Sequence, residues 1–352
     1  MLNASFPIVG APRLVLFETW ETGNWELTTD NWFLLFSEPL VMLPAMPRKP
    51  RVTIIGPGRL GTAFIAALHN AGYKIDEVVT RPGTRSRNRA AKLSKRLQAK
   101  IVSAKNARFR AEVVWICVPD SAIRETARQL AAAASWKGKF VFHSSGALTS
   151  TELSELKKRG AAVASVHPMM SFVHRRAPSL AGVSFALEGD PAAVRAARAI
   201  VRDLSGITIN ITPAKKPLYH AFGAFASPLL ITILAVAEKV GRAAGLSAAA
   251  ARKAMLPIVA QTLRNYSGQS ASAAFSGPII RGDAETVRRN IISLQKLPEA
   301  QMAYIALARA ALRFLPASNR RKLKQVLAEA LTRSGAPRSG RAAKRGSPAP
   351  AR

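Results

Sequence analysis

The sequence predicts an α/β protein with a mostly parallel sheet, followed by an all-helical C-terminal domain. Between Arg51 and Thr212, short apolar runs rich in β-branched residues alternate with stretches of helical spacing, an order typical of parallel βαβ units. From Pro213 onward, long alanine-rich segments with a helical period replace this alternation. A chain of 352 residues is long enough for two domains. We expect one domain over residues 49–212 and a second over residues 213–333.

A glycine-rich turn follows the first apolar run and opens the first helical stretch. Its residues are Gly56, Pro57, Gly58, Arg59, Leu60 and Gly61. Gly56 permits the tight turn, Gly58 lets the backbone approach a pyrophosphate, and Gly61 lets the helix pack near the strand. Free N–H groups at the helix N-terminus then face the phosphates. Because strand and helix flank this Gly-x-Gly-x-x-Gly pattern, we predict a Rossmann-like dinucleotide-binding unit; the alternative is an ordinary glycine turn.

The end of the second predicted strand, residues 75–80, favours NADP over NAD. An NAD site usually places a carboxylate there to bind the ribose hydroxyls. The two acidic residues of this strand, Asp76 and Glu77, lie too early, and Thr80 ends the strand. Guanidinium groups suit the 2′-phosphate of NADP, unless they belong only to the general basic surface. The cations at this position are Arg81, Arg85 and Arg87.

Three further strand ends carry candidate binding groups. Ligands of an open parallel sheet bind beyond the carboxyl ends of its strands. Val118 and Pro119 end one strand, and Ser144 and Ser145 follow another, Phe140 to His143. We assign Val118, Pro119 and Ser144 to the cofactor site. We also expect residues 119–121 to supply the N-cap of a helix over residues 122–134.

Histidine is the obvious group to protonate or polarise a carbonyl or imine that accepts hydride. His167 follows the strand Ala161 to Val166, and we predict it to be the acid/base, assisted by Ser145. Lys216 and His220 are four residues apart and share one face if they are helical, so proton transfer or anion binding from the second domain is a further expectation. The alternatives are a core or capping role for His167 and simple solvation for Lys216 and His220.

Two residues near Gly277 have separate expected roles. Arg281 follows the Gly277-Pro278 turn and is a candidate carboxylate clamp for the substrate. Asp283 precedes a helical stretch and is expected to be its N-cap rather than a catalytic acid.

The formal net charge of +32 suggests polyanion binding. Eleven lysines and arginines lie between Arg81 and Arg110 with no acid among them. The sequence shows no zinc-ligand spacing, so we predict no metal site, and it shows no helix-turn-helix pattern. We therefore expect weak, non-specific polyanion binding at most, although a nucleic-acid-binding protein is a third functional alternative.

The remaining features concern the cell compartment and the ends of the chain. The apolar stretch from Lys215 to Gly245 is interrupted by Pro228, Glu238 and Lys239, so we expect a core helix shared between domains or subunits and no membrane association. One cysteine, Cys117, allows no disulfide within the chain, which fits the cytoplasm. Residues 1–48 are expected to be an irregular extension from a misassigned start, and residues 334–352 a disordered basic tail.

Several motifs occur in an order that resembles bacterial proteins with a Rossmann-like domain followed by a DUF2520 domain. The motifs are Gly56-Pro-Gly-Arg-Leu-Gly61, His143-Ser-Ser-Gly-Ala147, His167-Pro-Met169, Lys216-Pro-Leu-Tyr-His220 and Gly277-Pro-Ile-Ile-Arg-Gly-Asp283. The resemblance implies a fold similar to pyrroline-5-carboxylate reductase and F420-dependent NADP oxidoreductases, with a homodimer formed through the helical domain. Asn290 and Pro228 depart from the pattern of this family. His167-Pro-Met169 is also similar to the motif of prephenate dehydrogenases, in which the histidine contacts the substrate hydroxyl and a serine assists it.

These observations together predict an oxidoreductase that transfers hydride between NADP(H) and a small, anionic metabolite bound between the two domains. A prephenate-dehydrogenase-like or pyrroline-carboxylate-reductase-like enzyme is one form of this hypothesis. The alternative from another class is a non-catalytic NADP-binding or sensor protein whose helical domain mediates assembly.

Overall fold

The structure, a computed structural model, describes residues 48–81, 99–173 and 178–333. The described residues from Lys49 onward form one compact unit, and the boundary expected after residue 212 lies within it. The expectations for the N-terminal extension, for the C-terminal tail and for Arg85 and Arg87 concern positions outside the described residues.

The sheet is mostly parallel, as the alternating pattern predicts. In spatial order the strands run β3-β2-β1-β4-β5-β6-β7-β8, and every neighbouring pair is parallel except β6 and β7. In chain order the strands are β1 Val52–Ile55, β2 Ile75–Val79, β3 Lys100–Val102, β4 Val113–Ile116, β5 Phe140–His143, β6 Ala162–Pro168, β7 Ser184–Gly189 and β8 Ile207–Asn210. The carboxyl ends of β1, β4 and β5 are in register, since Ile55 pairs with Ile116 and Ile116 with His143.

Helices cover both faces of this sheet because its central strands are apolar on both sides. On β4, Trp115 belongs to one buried cluster with Phe64, and Ile116 belongs to a second with Trp136, as the alternation of side chains along a strand requires. The flanking helices are α1 Arg59–Asn70, α2 Asp120–Ala131, α3 Ser154–Lys158 and α4 Pro191–Asp203.

The start of α2 differs from the expectation. The helix expected over residues 122–134 begins at Asp120, its N-cap residue is Pro119, and no side chain caps it. The Asp120 carboxylate instead accepts a hydrogen bond from Ser145. After the loop that follows β5, the chain forms a 3-10 turn, Ser150–Leu153, and then the short α3.

The C-terminal part is helical, as predicted. Its helices are α5 Lys216–Ala224, α6 Leu230–Ala243, α7 Ala248–Gly268, α8 Ala271–Ala274, α9 Ala284–Ser293, α10 Pro298–Phe314 and α11 Arg320–Arg333. A π-helical segment, Phe225–Leu229, which contains Pro228, joins α5 to α6. Helices α9, α10 and α11 pack around a third buried cluster that includes Val287, Ile305 and Leu323. The Asp283 side chain accepts a hydrogen bond from the Thr286 N–H at 3.0 Å, which confirms its predicted N-cap role.

The apolar stretch from Lys215 to Gly245, which was expected to form a core helix, is largely exposed within one chain. The segment Pro213–Ala243 is long and apolar enough to cross a membrane by length and composition, with a mean hydropathy of 1.8. No residue of α6 is buried, although α5 buries Lys216 and Tyr219 against the sheet. Large apolar side chains on this segment, among them Phe225 and Ile231, are mostly exposed. Exposed apolar surface of this extent is typical of sites that contact another protein or a membrane.

Candidate active site

The glycine turn between β1 and α1 is shaped as an anion cradle. Gly56 has a φ of +86°, and a Cβ there would lie 2.8 Å from the Cys117 carbonyl oxygen. A Cβ on Gly61 would lie 2.3 Å from the Gly56 carbonyl oxygen, so these two glycines are required by packing. A Cβ on Gly58 would meet no atom within 4 Å. The space above Gly58 is therefore open, as the approach of a pyrophosphate requires.

Other parts of the turn complete this cradle. The Gly58 N–H donates to the Gly56 carbonyl oxygen at 2.8 Å, so the amides that can face an anion are those of the first turn of α1, beginning at Arg59. The Arg59 side chain is exposed, and Leu60 packs partly against the core. Pro57 is buried and its carbonyl oxygen accepts from the Thr62 hydroxyl.

Val118 lies beside the glycine turn, since its Cγ1 is 2.9 Å from the position of a Cβ on Gly56. Pro119, the next residue, is exposed at the end of β4. The structure therefore brings Val118 to the cradle, as the cofactor-site prediction expects, and leaves Pro119 at its edge.

The end of β2 has the composition that an NADP site needs. Glu77 is buried, and its carboxylate accepts from the Arg108 and Phe109 N–H groups, each at 2.9 Å, so it is committed to the fold. Thr80 is buried at the strand end, and Arg81 after it is exposed. Within residues 75–81, no carboxylate occupies the position where an NAD site usually has one.

The loop after β5 is held by its own polar side chains. The buried His143 ring accepts at Nδ1 from the Ser145 N–H at 3.1 Å, and its Nε2 lies 3.0 Å from the Thr149 carbonyl oxygen. Because a carbonyl oxygen cannot donate, Nε2 carries the proton and the ring is neutral. Burial and the nearby positive charge of Lys216 lower the pKa of His143 to about 4. His143 therefore supports the loop.

Both serines predicted at this loop are engaged in hydrogen bonds. Ser144 Oγ accepts from the Trp115 indole N–H at 2.8 Å. Ser145 Oγ donates to the Asp120 carboxylate at 2.7 Å and accepts from the Ala147 and Leu148 N–H groups. These bonds fix the loop that carries Gly146.

His167, Gly146 and His220 meet at one point. A Cβ on Gly146 would lie 2.8 Å from His167 Nε2 and 2.9 Å from His220 Cδ2. His167 Nδ1 lies 3.0 Å from the Tyr219 hydroxyl, so Nε2 is the nitrogen directed to this point. Sequence reasoning named both histidines but gave Gly146 and Tyr219 no specific role. The sequence signal that could have indicated Gly146 is its position directly after Ser144 and Ser145 at the end of β5.

The electrostatic environment keeps His167 neutral. Burial, followed by the positive charges of Lys216 and His220, lowers the pKa of His167 to about 4. Burial raises the pKa of Tyr219 to about 12, so its hydroxyl keeps its proton at neutral pH. At pH 7 the pair is thus an imidazole joined to a phenol, and Nε2 is available for a hydrogen bond to a ligand.

Two other predicted residues have different surroundings. Lys216 is only 1% exposed and is directed into the sheet, where burial lowers its pKa. Arg281 is exposed in the turn before α9, and within the described residues no hydrogen bond or ion pair joins its side chain to His167 or His220. The structure therefore brings Lys216 and the two histidines together but does not place Arg281 with them. Among the described residues, no group of three His, Cys, Asp or Glu side chains could hold a metal ion.

An amide-lined glycine turn on an open, mostly parallel sheet, with a following helix that brings Tyr219 and His220 to the same edge, is the arrangement typical of the dinucleotide-binding class. The chain matches the Rossmann-like domain family over residues 44–168. It matches DUF2520, a domain of unknown function, over residues 183–311. The chain thus carries a match to a Rossmann-like domain followed by a match to DUF2520, in the order that the motifs predicted. The comparison with curated proteins gives no match.

Solved structures show the same fold. A candidate NADP oxidoreductase of Bacteroides fragilis is 20% identical, with a TM-score of 0.62 over 74% of this chain and 97% of that chain. An imine reductase of Myxococcus stipitatus in complex with NADP+ is 19% identical, with a TM-score of 0.54 over 75% and 94%. A pyrroline-5-carboxylate reductase of Coxiella burnetii is 15% identical, with a TM-score of 0.51 over 82% and 98%. The predicted similarity to the pyrroline-5-carboxylate reductase fold is confirmed.

Proposed function

We propose that this protein is an NADP(H)-dependent oxidoreductase that acts on a small metabolite bound beside His167 and His220. The observation that carries the proposal is the presence of two features at one edge of the sheet. These are the open cradle at Gly58 and the meeting point of the two histidines above Gly146. Three strand spacings separate the ends of β1 and β6, which is about 14 Å. A dinucleotide bound at the cradle can extend over this distance.

The residues at the cradle fit NADP(H). The first-turn amides of α1 would bind the pyrophosphate, and Val118 and Pro119 would line the cofactor site next to the turn. Thr80 and Arg81 would bind the 2′-phosphate. The similar structures include an imine reductase in complex with NADP+ and a candidate NADP oxidoreductase of Bacteroides fragilis. When it is bound, the cofactor supplies or accepts the hydride.

His167 would hold and polarise the reacting group of the substrate. A carbonyl or imine that accepts hydride gains electron density on its oxygen or nitrogen, and a hydrogen bond from Nε2 stabilises that atom. Tyr219 would donate to Nδ1, which leaves the proton on Nε2. His220, on the same helix, would bind the substrate from the other domain.

We also propose that the protein is a homodimer formed through α5, α6 and α7. Phe225 is 70% exposed and Ile231 is 63% exposed, so a monomer would leave a large apolar face in water. The same helices carry Glu238, Lys239 and Arg242, which are unsuited to a bilayer core. A second copy of the chain fits this face better than lipid does. The single buried thiol, Cys117, fits a cytoplasmic protein.

The proposal is tested by titrating the full chain with NADPH and with NADH, followed by a screen of small carbonyl, imine and hydroxy-acid compounds for cofactor oxidation or reduction. We expect NADPH to bind at least tenfold more tightly than NADH. The variant His167→Asn should bind NADPH normally but turn over the substrate at least a hundredfold more slowly. The exposed His69→Asn is the matched control and should have full activity. Equal and negligible affinity for both nucleotides would contradict the proposal, and tight NADPH binding without turnover would favour a sensor.

A second candidate function, polyanion binding, is favoured by one surface. The groove between α10 and α11 is lined by four cationic side chains and no acid, and residues 300–328 contain no Asp or Glu. The four cations are Arg309, Arg313, Arg320 and Lys324. Binding of a fluorescent single-stranded RNA at rising salt concentration tests this function. Affinity should fall steeply with salt and should weaken in the variant Arg313→Glu; no binding at 50 mM salt would exclude it.

A further inference from the structure

We propose that Lys216 is a positioning residue that fixes helix α5 to the loop after β5 and does not donate a proton to the substrate. The inference rests on the proposed function of the site, because it assigns a role within that site. Lys216 is the first residue of α5 and belongs to the helical part, yet its ammonium group lies inside the sheet domain. Sequence spacing alone places it with His220 as a group that could face the substrate.

Two hydrogen bonds and one ion pair hold the ammonium group of Lys216. The Nζ atom donates to the Ser145 carbonyl oxygen at 3.1 Å and to the Ser165 hydroxyl, and it lies 3.5 Å from Glu188 Oε1. Two of the three ammonium protons are thus used in hydrogen bonds, and the ion pair with Glu188 compensates the positive charge. We call these four residues the Lys216 network. A proton donor must reach the substrate, and a side chain that is 1% exposed and held by these contacts does not.

The network joins three neighbouring strands to one helix. Ser145 follows β5, Ser165 lies on β6 and Glu188 lies on β7. Glu188 is itself held, since its carboxylate accepts from the Ser150 N–H at 2.7 Å and from the Ser150 hydroxyl at 2.8 Å. Lys216 and Glu188 therefore each have hydrogen-bonding partners in addition to one another. Buried charges are stable in proteins under this condition.

This anchoring sets the geometry of the reacting groups. Tyr219 and His220 follow Lys216 by three and four residues, so they project from the same face of α5. With Lys216 fixed, the Tyr219 hydroxyl is held at His167 Nδ1 and the His220 ring is held at Gly146. Because the same ammonium group also binds the carbonyl oxygen of Ser145, the peptide that leads into Gly146 cannot shift independently of the helix. Lys216 thus couples the positions of both histidines.

Lys216 also contributes to the charge state of His167. The charged and titratable groups that act on His167 are Lys216 and His220 on α5, Asp120 on α2 and His143 on β5. Tyr219 contacts the ring directly. The positive charge of Lys216 lowers the pKa of His167, whereas Asp120 raises it. Removal of the Lys216 charge should therefore raise this pKa, an effect that a merely structural support would not produce.

Chemical modification of the wild-type protein gives the first test. Under reductive methylation with formaldehyde and borohydride, exposed lysines such as Lys322 should be dimethylated while Lys216 stays unmodified, as measured by peptide mass spectrometry. Modification of Lys216 at the rate of the exposed lysines, with protection by NADPH, would overturn the proposal. This experiment requires no turnover, so it is informative even if the proposed oxidoreductase activity fails.

Two variants give the second test. Lys216→Met removes the charge, and the double variant Lys216→Met/Glu188→Gln avoids an unpaired buried carboxylate. In both, NMR titration of the histidine side chains, with His167 assigned from His167→Asn, should show its pKa raised by about half a unit or more. Once a substrate is known, turnover should fall at least tenfold while the Kd for NADPH changes less than twofold. An unchanged His167 titration in the folded double variant would overturn the proposal.

Discussion

Substitution of Gly58 separates cofactor binding from folding more cleanly than any other change at the glycine turn. Gly58 has φ −69° and ψ −161°, which residues other than glycine also adopt, and a Cβ there would meet no atom within 4 Å. Gly58→Ala and Gly58→Val should therefore fold, with a loss of about 1 kcal/mol or less from the changed N-cap. The added carbon atoms would instead occupy the space that a pyrophosphate needs.

The expected loss of affinity follows from the hydrogen bonds that are prevented. A hydrogen bond from an amide to a charged group contributes about 1.5–3 kcal/mol. If the valine displaces the phosphate from one such amide, the Kd for NADPH should rise roughly tenfold to a hundredfold. Gly61→Ala should behave differently, because its Cβ would lie 2.3 Å from the Gly56 carbonyl oxygen. That variant should lose about 3 kcal/mol or more of stability.

Fluorescence titration with NADPH measures the affinity, and thermal unfolding monitored by circular dichroism measures the stability of each variant. Gly268, at the exposed end of α7, receives the same two substitutions as a matched control, since a Cβ there also meets no atom within 4 Å. The control variants should bind NADPH as the wild type does. A Gly58→Val protein that is folded and binds NADPH with unchanged affinity would refute the proposal that the pyrophosphate binds above Gly58.

Three further predictions concern pH, cofactor choice and assembly. The pKa of the buried His143 falls from an ordinary 6.5 to about 4 on folding. Between these two pH values the unfolded chain binds more protons than the folded chain does. About 3 kcal/mol of stability should therefore be lost as the pH falls from about 6.5 to about 4. Urea unfolding across this range should show a flatter pH dependence for His143→Gln, whereas His69→Gln should keep the wild-type slope. Arg81→Ala should weaken NADPH binding about tenfold in a fluorescence titration and leave NADH binding unchanged; a parallel loss of both would contradict a role in binding the 2′-phosphate. Ile231→Glu should convert the dimer to a monomer in light scattering after size-exclusion chromatography, and a wild type that is already monomeric would contradict the proposed interface.

Local sequence patterns were sufficient for the elements that depend on neighbouring residues. The helix Pro298–Phe314 begins and ends at the residues where its periodicity does, because Pro298 starts it and the apolar spacing continues to Phe314. The Asp283 cap is a contact between residues three apart, and it was predicted correctly. By contrast, Asp120 was wrongly expected to contribute to a cap, since its carboxylate has a partner 25 residues away in Ser145.

The candidate site divides in the same way. The glycine turn could be recognised from the sequence because the strand before it and the helix after it require glycine at these positions. The surroundings of His143 and Ser145 could not be recognised, because their partners depend on how a loop folds back over the end of β5. Arg281 was predicted to bind the substrate from its residue type and its position after the Gly277-Pro278 turn, and among the described residues no hydrogen bond or ion pair joins its side chain to His167 or His220.

The sequence by itself determined that a glycine cradle joins a strand to a helix, that the sheet is mostly parallel, and that helices follow it. These features arise from backbone freedom and from apolar spacing, which are local properties. Only the tertiary structure decided that Lys216 is directed into the sheet, that His167 and His220 meet at Gly146, and that no residue of α6 is buried within the chain. Each of these features depends on which side of a helix packs against strands that are distant in sequence. Sequence periodicity shows that a helix has an apolar side, but it does not show which part of the protein packs against that side.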